Sequence, residues 1–366
     1  MGLKCGIVGL PNVGKSTLFN CLSSAKAQAA NFPFCTIEPN LGVVQVPDPR
    51  LTRLADIVRP ERVVPATVEI VDIAGLVRGA SRGEGLGNQF LSHIRECTAL
   101  IHVLRCFENP NIVHVDGNVH PLRDKEVIDT ELQLKDLETV EKRLARVEKQ
   151  AKTGGDKEAR RAYEILLEVK KHLEKGQNVR SLDLKPEDRD WLASQQLLTD
   201  KPVLYLCNVD EASAKTGNAH SRAVEDMAAA EGAATLTLAV ATEESIAQLE
   251  TYEEKQLFLQ ELGLEEPGVN RLIRAAYNML NLQTFFTAGP KEVRAWTIPR
   301  GATAPKAAGE IHSDFEKGFI RAEVIKFEDF VRFGSESACR ENGKLSIEGK
   351  DYIVEDGDII HFRFNV

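Results

Sequence analysis

Gly9-Leu10-Pro11-Asn12-Val13-Gly14-Lys15-Ser16-Thr17 is the stretch that decides how this chain folds. Its spacing is G-x-x-x-x-G-K-[ST], the pattern of a phosphate-binding loop. The flanks agree. Lys4-Cys5-Gly6-Ile7-Val8 reads as a short buried strand, and Ser16-Thr17-Leu18-Phe19-Asn20-Cys21-Leu22 as the first turns of a helix. Glycines let the backbone curl so that successive N–H groups point inward, and the helix N-terminus adds positive potential. Lys15 then reaches toward the β- and γ-phosphates, and the Ser16 hydroxyl is placed to ligate Mg²⁺. Lys15 is the first catalytic candidate.

The bulk properties are those of an ordinary water-borne chain. At 366 residues, two or three domains are expected. The hydrophobic fraction is 43% and the charged fraction 28%, and no apolar run approaches bilayer-spanning length. The N-terminus enters a strand at once, which leaves no room for a signal peptide. Seven scattered cysteines without a C-x-x-C pair read as reduced core residues, and a cytoplasmic location is expected. A net charge of −9 argues against general coating of nucleic acid.

Strand signals at residues 5–8, 42–46, 67–72, 99–106 and 203–208 alternate with helical ones, predicting an α/β fold with a mostly parallel sheet. The pattern is interrupted at about 129–177. Leu137, Val140, Leu144 and Val147, then Ala162, Leu166, Val169 and Leu173, recur at steps of three and four on either side of Thr153-Gly154-Gly155-Asp156. This predicts an antiparallel helical hairpin with one apolar seam. Residues 135–175 carry twelve Lys/Arg against nine Asp/Glu, so the arm is locally basic in an acidic chain: a solvated face or a docking arm. From Thr284, short strands are expected at 292–298, 318–325, 351–354 and 359–364 around a helical patch at 304–312. A compact α+β module of about 80 residues fits. Residues 282–366 hold twelve Lys/Arg against fourteen Asp/Glu, which provides no strong phosphate-neutralising surface, and no sequence-specific DNA binding is expected.

Further site candidates follow from the loop. Asp72 ends the strand 67–72 and is followed by Ile73-Ala74-Gly75; the carboxylate belongs near Mg²⁺, and the Gly75 N–H can sense the γ-phosphate. Thr36, in the intervening loop, is a second hydroxyl ligand for an octahedral Mg²⁺. Base reading is expected at Asn208-Val209-Asp210-Glu211. Guanine-specific sites use Asn-Lys-x-Asp, but here Val209 replaces the lysine and Glu211 is one methylene too long. Asn208 can still pair an exocyclic amine and N7, so ATP is favoured over GTP. Asp210 lies one residue out of register, and a shifted loop would still read guanine. Leu76 stands where related switches carry the glutamine that orients attacking water, so intrinsic turnover is expected to be slow unless another group acts. His114 is one candidate for that group. A monovalent cation such as K⁺ held by Asn12 is another.

With these residues placed, the chain resembles the YchF subfamily of Obg-related P-loop NTPases, the Obg-like ATPases. The resemblance runs through 9–17, 31–40, 72–75, 83–90, 208–211 and 312–319, the last resembling the TGS β-grasp module. It implies a P-loop NTPase G domain (1–128 and 200–280), a helical coiled-coil insertion (129–199) and a C-terminal TGS domain (281–366). It also implies a slow, ATP-preferring hydrolase that associates with ribosomes. By the same resemblance, Asn12, Val13, Gly14, Lys15, Ser16 and Thr17 hold phosphate, and Thr36 helps hold Mg²⁺. Asn208 and Val209 contact the base, with Phe107 as an apolar wall. Ala239-Val240-Ala241 departs from the Ser-Ala-Lys often found in the second base-contacting loop. A GTPase translation factor, or an adaptor whose hydrolysis is incidental, remains an alternative at this stage.

Overall fold

The computed structural model describes residues 4–27, 41–73, 87–153 and 156–365. β1 (Lys4–Val8) leads through the phosphate loop into α1 (Lys15–Ala27). After β2 (Leu41–Gln45) come α2 (Pro49–Val58) and β3 (Arg62–Val64), and the chain returns as β4 (Thr67–Asp72). α3 (Gly87–Glu96) and β5 (Ala99–Arg105) precede the long helices α4 (Pro121–Thr153) and α5 (Lys157–Glu174) and the short α6 (Pro186–Ala193). β6 (Val203–Asn208), α7 (Ala219–Glu231), β7 (Ala234–Leu238), α8 (Val240–Gln248), α9 (Tyr252–Glu261) and α10 (Gly268–Met279) follow. No helix among the described residues is long and apolar enough to cross a membrane.

By internal packing the chain divides into two units, 1–42 with 69–269 and 43–68 with 270–366. The first is built on a sheet of order β2-β4-β1-β5-β6-β7, in which β1 runs parallel to β4 and β5, β5 to β6, and β6 to β7. Every residue of β5 and β6 is buried, as expected of strands covered on both faces. Ile7 pairs with Asp72 and Val8 with His102, so the carboxyl ends of three strands converge where the phosphate loop begins.

The helical hairpin forms along the expected seam. Val140 and Leu144 of α4 pack with Leu166, Val169 and Leu173 of α5 and with Val179, Leu182, Leu192 and Leu197 beyond it. Asp156 caps α5, its carboxylate accepting from the N–H groups of Glu158 and Ala159 at 3.0 Å each. α4 starts eight residues before the expected 129, because its first turns pack on β5 and α7 rather than within the hairpin seam. Asp136 ties the hairpin to the segment entering β6. Its buried carboxylate accepts from the Leu198 and Thr199 N–H groups (2.8 and 2.7 Å) and from the Thr199 hydroxyl (2.7 Å).

The second unit holds β8 (Leu282–Ala288), β9 (Glu292–Pro299), α11 (Ala304–Ile311), α12 (Ser313–Lys317), β10 (Phe319–Ile325), α13 (Phe327–Phe333), α14 (Glu336–Glu341), β11 (Leu345–Glu348) and β12 (Ile359–Phe364). The sheet order is β11-β10-β12-β8-β9-β3, with β12 parallel to β8 and antiparallel to β10, a β-grasp. Its core joins Phe285, Ile298, Phe319, Val324, Ile360 and Phe362 to the alanines of α11. Two details differ from the sequence expectation. Residues 351–354 form no strand; a turn closed by Tyr352 N–H on Gly349 O leaves one bridge, Thr303 to Ile353. Leu345–Glu348 forms an edge strand that its mixed composition hid.

A larger difference concerns 43–68, which the linear partition assigned to the nucleotide domain. β3 extends the β-grasp sheet beside β9, and α2 packs on β8, β9 and α13. Arg50 of α2 bridges Asp48 and Asp356, each at 2.8 Å.

Candidate nucleotide site

The phosphate loop needs backbone states that most side chains resist. Gly9 has φ +153° and Gly14 φ +100°. A methyl at Gly9 would lie 2.6 Å from Val103 O, and one at Gly14 would lie 2.5 Å from Asn208 Nδ2. Asn12 also takes a left-handed φ of +61°, which asparagine tolerates better than most residues. α1 then begins with Leu18 N–H on Gly14 O at 2.9 Å.

Lys15 is buried, and its ammonium donates to Leu10 O at 2.7 Å. Burial pushes its pKa down to about 8, with Asp72 pulling the other way. Burial raises the Asp72 carboxyl, eased by Lys15 and by a hydrogen bond from the Ser16 hydroxyl. Asp72 Oδ1 is buried without a hydrogen-bond partner among the described residues. An orphaned carboxylate oxygen beside a serine hydroxyl is the hard-oxygen donor set that Mg²⁺ takes, so these residues fit the ion. Val13 is buried, its carbonyl accepting from Asn208, and Thr17 is half-buried in the first turn of α1. Thr36, Gly75 and Leu76 lie outside the described residues.

Asn208 is buried at the end of β6, and its amide works at both ends. Nδ2 donates to Val13 O at 2.9 Å, and Oδ1 accepts from Val240 N–H at 3.1 Å. The residue thereby ties the phosphate loop to the N-terminus of α8, where Ala239-Val240-Ala241 lacks a polar side chain and supplies main chain instead. Each end of an amide keeps capacity for one more bond. Val209 is buried, its N–H donating to Leu238 O at 3.0 Å. Neither following carboxylate is idle. Asp210 accepts from Ser213 N–H at 2.9 Å, and Glu211 meets the Thr242 hydroxyl at 3.4 Å.

Phe107 is half-buried, with the Arg105 guanidinium 4.7 Å above its ring. Arg105 is itself 2% exposed and donates to the carbonyls of Phe107, Asn109 and Ile112 at 3.0–3.2 Å. Three donors from one rigid fork fix the whole loop. This role was missed in the sequence, although an arginine closing an otherwise apolar strand was the available signal. Asn12 pins the far end of the same loop, donating to Val113 O at 3.2 Å.

His114 is buried against α4. Its Nδ1 accepts from Asp116 N–H at 3.1 Å, so Nε2 carries the proton and donates to the buried Asp124 of α4 at 2.8 Å. Both ring nitrogens are committed in this state.

Comparison with known proteins gives the family. Residues 4–153 match the family model MMR_HSR1, "50S ribosome-binding GTPase", and residues 282–365 match YchF-GTPase_C, "Protein of unknown function (DUF933)". A protein of Escherichia coli O157:H7 named "Ribosome-binding ATPase YchF" is 58% identical over 366 residues, covering all of both chains. One of the same name in Bacillus subtilis (strain 168) is 52% identical over 368 residues, again with full coverage of both. A solved structure titled "Structure of the Schizosaccharomyces pombe YchF GTPase" aligns with TM-score 0.90 and 39% identity, over 99% of this chain and 98% of that one. With identity sustained through both units, the chain belongs to the YchF family of P-loop nucleotide hydrolases.

Proposed function

We propose that this chain is a Mg²⁺-dependent switch that hydrolyses ATP in preference to GTP, slowly, and acts on the ribosome in the cytoplasm. One observation carries the base preference: Val209 stands where a guanine-reading site has its lysine, and Glu211, whose carboxylate meets the Thr242 hydroxyl, is one methylene longer than the aspartate of such a site. Guanine is read by a carboxylate at aspartate length, which accepts from N1–H and N2–H₂, whereas adenine can use the spare donor and acceptor of Asn208. Phe107 supplies apolar surface for the ring, and Val209, itself buried, leaves no lysine stem over it.

The reaction is attack of water on the γ-phosphorus. Lys15 and the inward N–H groups of the 9–17 loop stabilise charge that develops on the phosphoryl oxygens. Ser16, Thr36 and Asp72 would hold Mg²⁺, which when bound neutralises the β- and γ-phosphate oxygens. The Gly75 N–H would report the γ-phosphate. Leu76 cannot orient water, so that task falls to His114, once Asp124 releases it; alternatively K⁺ held by Asn12 substitutes for an arginine finger.

The names of the relatives support a ribosomal partner. Sedimentation with ribosomes under ATP, GTP, ADP and no nucleotide, alongside competition of ATP and GTP for one fluorescent analogue, tests base and partner together. ATP is expected to win the competition and to change the pelleted fraction. GTP winning by about tenfold, equivalent to 1.4 kcal/mol, would defeat the base assignment. Full turnover in His114→Ala would remove the water-positioning reading, and equal turnover in Na⁺ and K⁺ the arginine-finger substitute.

A further inference from the structure

The β-grasp sheet is split. Its β8–β12 ladder closes with Gly357 N–H on Thr284 O and Phe286 N–H on Asp358 O, both 2.8 Å, and ends at Phe286 against Ile359. β8 then continues to Ala288 and β12 to Phe364, and no pair joins the two among the described residues. Each strand keeps its neighbour on the other side, Ala288 opposite Val293 and Phe362 opposite Ala322. Two free edges therefore face one another. Asp358 O points across the ladder, so by the period of two the main-chain groups of Phe362 and Phe364 point the same way, into the gap.

The gap opens into a cavity of about 570 Å³ with an aromatic wall that includes Trp296, Phe315, Phe362 and Phe364. Phe315 stacks on Phe364 with centroids 3.7 Å apart, and Arg294 covers Trp296 at 3.8 Å. Phe364 is 37% exposed at the rim. The acidic lining is already neutralised. Glu323 is held by Arg321, Arg340 and Arg363, Glu336 by Arg340, and Glu292 by Arg62. Lys291, exposed in the β8–β9 turn at one end of the gap, has no ionic partner among the described residues.

We propose that this split is a strand-addition site for an extended peptide segment of a partner protein. The segment carries apolar side chains at alternate positions and an acidic group at the end that meets Lys291. Unpaired main-chain edges are satisfied by another backbone, and the aromatic wall takes every second side chain. A nucleic acid offers no such backbone, and one uncommitted cation is too little for a phosphate chain.

The test pans the full-length chain against displayed hexapeptides that alternate a varied apolar position with threonine and end in Glu or Lys. Enriched sequences are then made as synthetic peptides and measured by fluorescence polarisation. Glu-ended peptides are expected to enrich. Their affinity should fall about tenfold or more in Phe364→Asp, as for loss of a buried aromatic anchor. It should fall about fivefold in Lys291→Glu, which should now prefer Lys-ended peptides. Thermal unfolding separates a lost site from a lost fold; if Phe364→Asp unfolds, the exposed Lys291→Glu variant carries the test. The proposal is overturned by no enrichment above bare matrix, by equal binding to both variants, or by an oligouridine bound at Phe364 in place of any peptide.

Discussion

Lys15 is the residue whose chemistry the fold alters most. Burial lowers its pKa to about 8 in the nucleotide-free protein, and a triphosphate beside it must raise that value again. Binding therefore takes up a proton wherever the free lysine is neutral and the bound one charged. The contribution of Lys15 to affinity should be constant well below pH 8 and fall as pH rises through it. Calorimetry at pH 9 in buffers of different ionisation enthalpy should show uptake approaching about one proton, and little from this group at pH 7. Gly14 is constrained as tightly by geometry. Gly14→Ala must place a methyl 2.5 Å from Asn208 Nδ2 at φ +100°, breaking the Asn208–Val13 bond. A loss of about 1–3 kcal/mol in urea unfolding is expected, with nucleotide binding weakened about tenfold or more. A variant with unchanged affinity would show that this contact does not shape the loop.

At the scale of elements, β5 carries the frame and the site together. All seven of its residues are buried, and two of them are His102 and Arg105. The Nε2 of His102 has no partner among the described residues, and burial drives its pKa down to about 4 against the pull of Asp129. The unfolded chain binds a proton there near pH 6.5, whereas the folded chain does not until pH 4. Stability should thus be lost as pH falls through that window, by about 2 kcal/mol at pH 5 from this group. Urea midpoints at pH 7 and 5 for the wild type and His102→Gln measure it, since the variant should lack that component. Around α4 lies a charged network that no local pattern announced. Lys125 pairs with Asp129 (3.0 Å) and with Glu231 of α7, and Glu231 also accepts from the Tyr205 hydroxyl (2.8 Å). It joins the first turns of the long helix to the nucleotide-binding sheet.

For the whole molecule, the division into units predicts where the chain can be cut. A fragment beginning at residue 282 loses α10, β3 and α2, and with them the cover of β8 and β9 and the Arg50–Asp356 pair. It should melt below the matching transition of the intact chain, with a shallower near-UV signal. A fusion that restores 43–68 and 270–281 should recover a cooperative transition. Equal melting of the short fragment would mean that the excursion between β2 and β4 contributes nothing to this unit. Much of the remaining architecture was legible from spacing. The hairpin seam at Val140, Leu144, Leu166 and Val169 was readable because helix periodicity is local, and the strand at 203–208 because burial on both faces leaves an apolar run. The strand at 345–348 was not, since an edge strand with Ile347 64% exposed carries no apolar signature.

The amino-acid sequence alone determined the phosphate loop and the strand and helix around it, and it nominated Lys15, Ser16 and Asp72 beside them. Those features depend on residue type at fixed short spacing, and backbone geometry follows from such spacing directly. The tertiary structure decided the rest. It turned Asn208 into a tie between Val13 and Val240, gave Arg105 command of the 107–112 loop and placed His114 against Asp124. It also moved 43–68 into the β-grasp unit. Each of these rests on contacts whose register is set by the sheet: Asn208 meets Val13 across 195 residues of chain, and no pattern within a short window records which distant partners a fold will bring together.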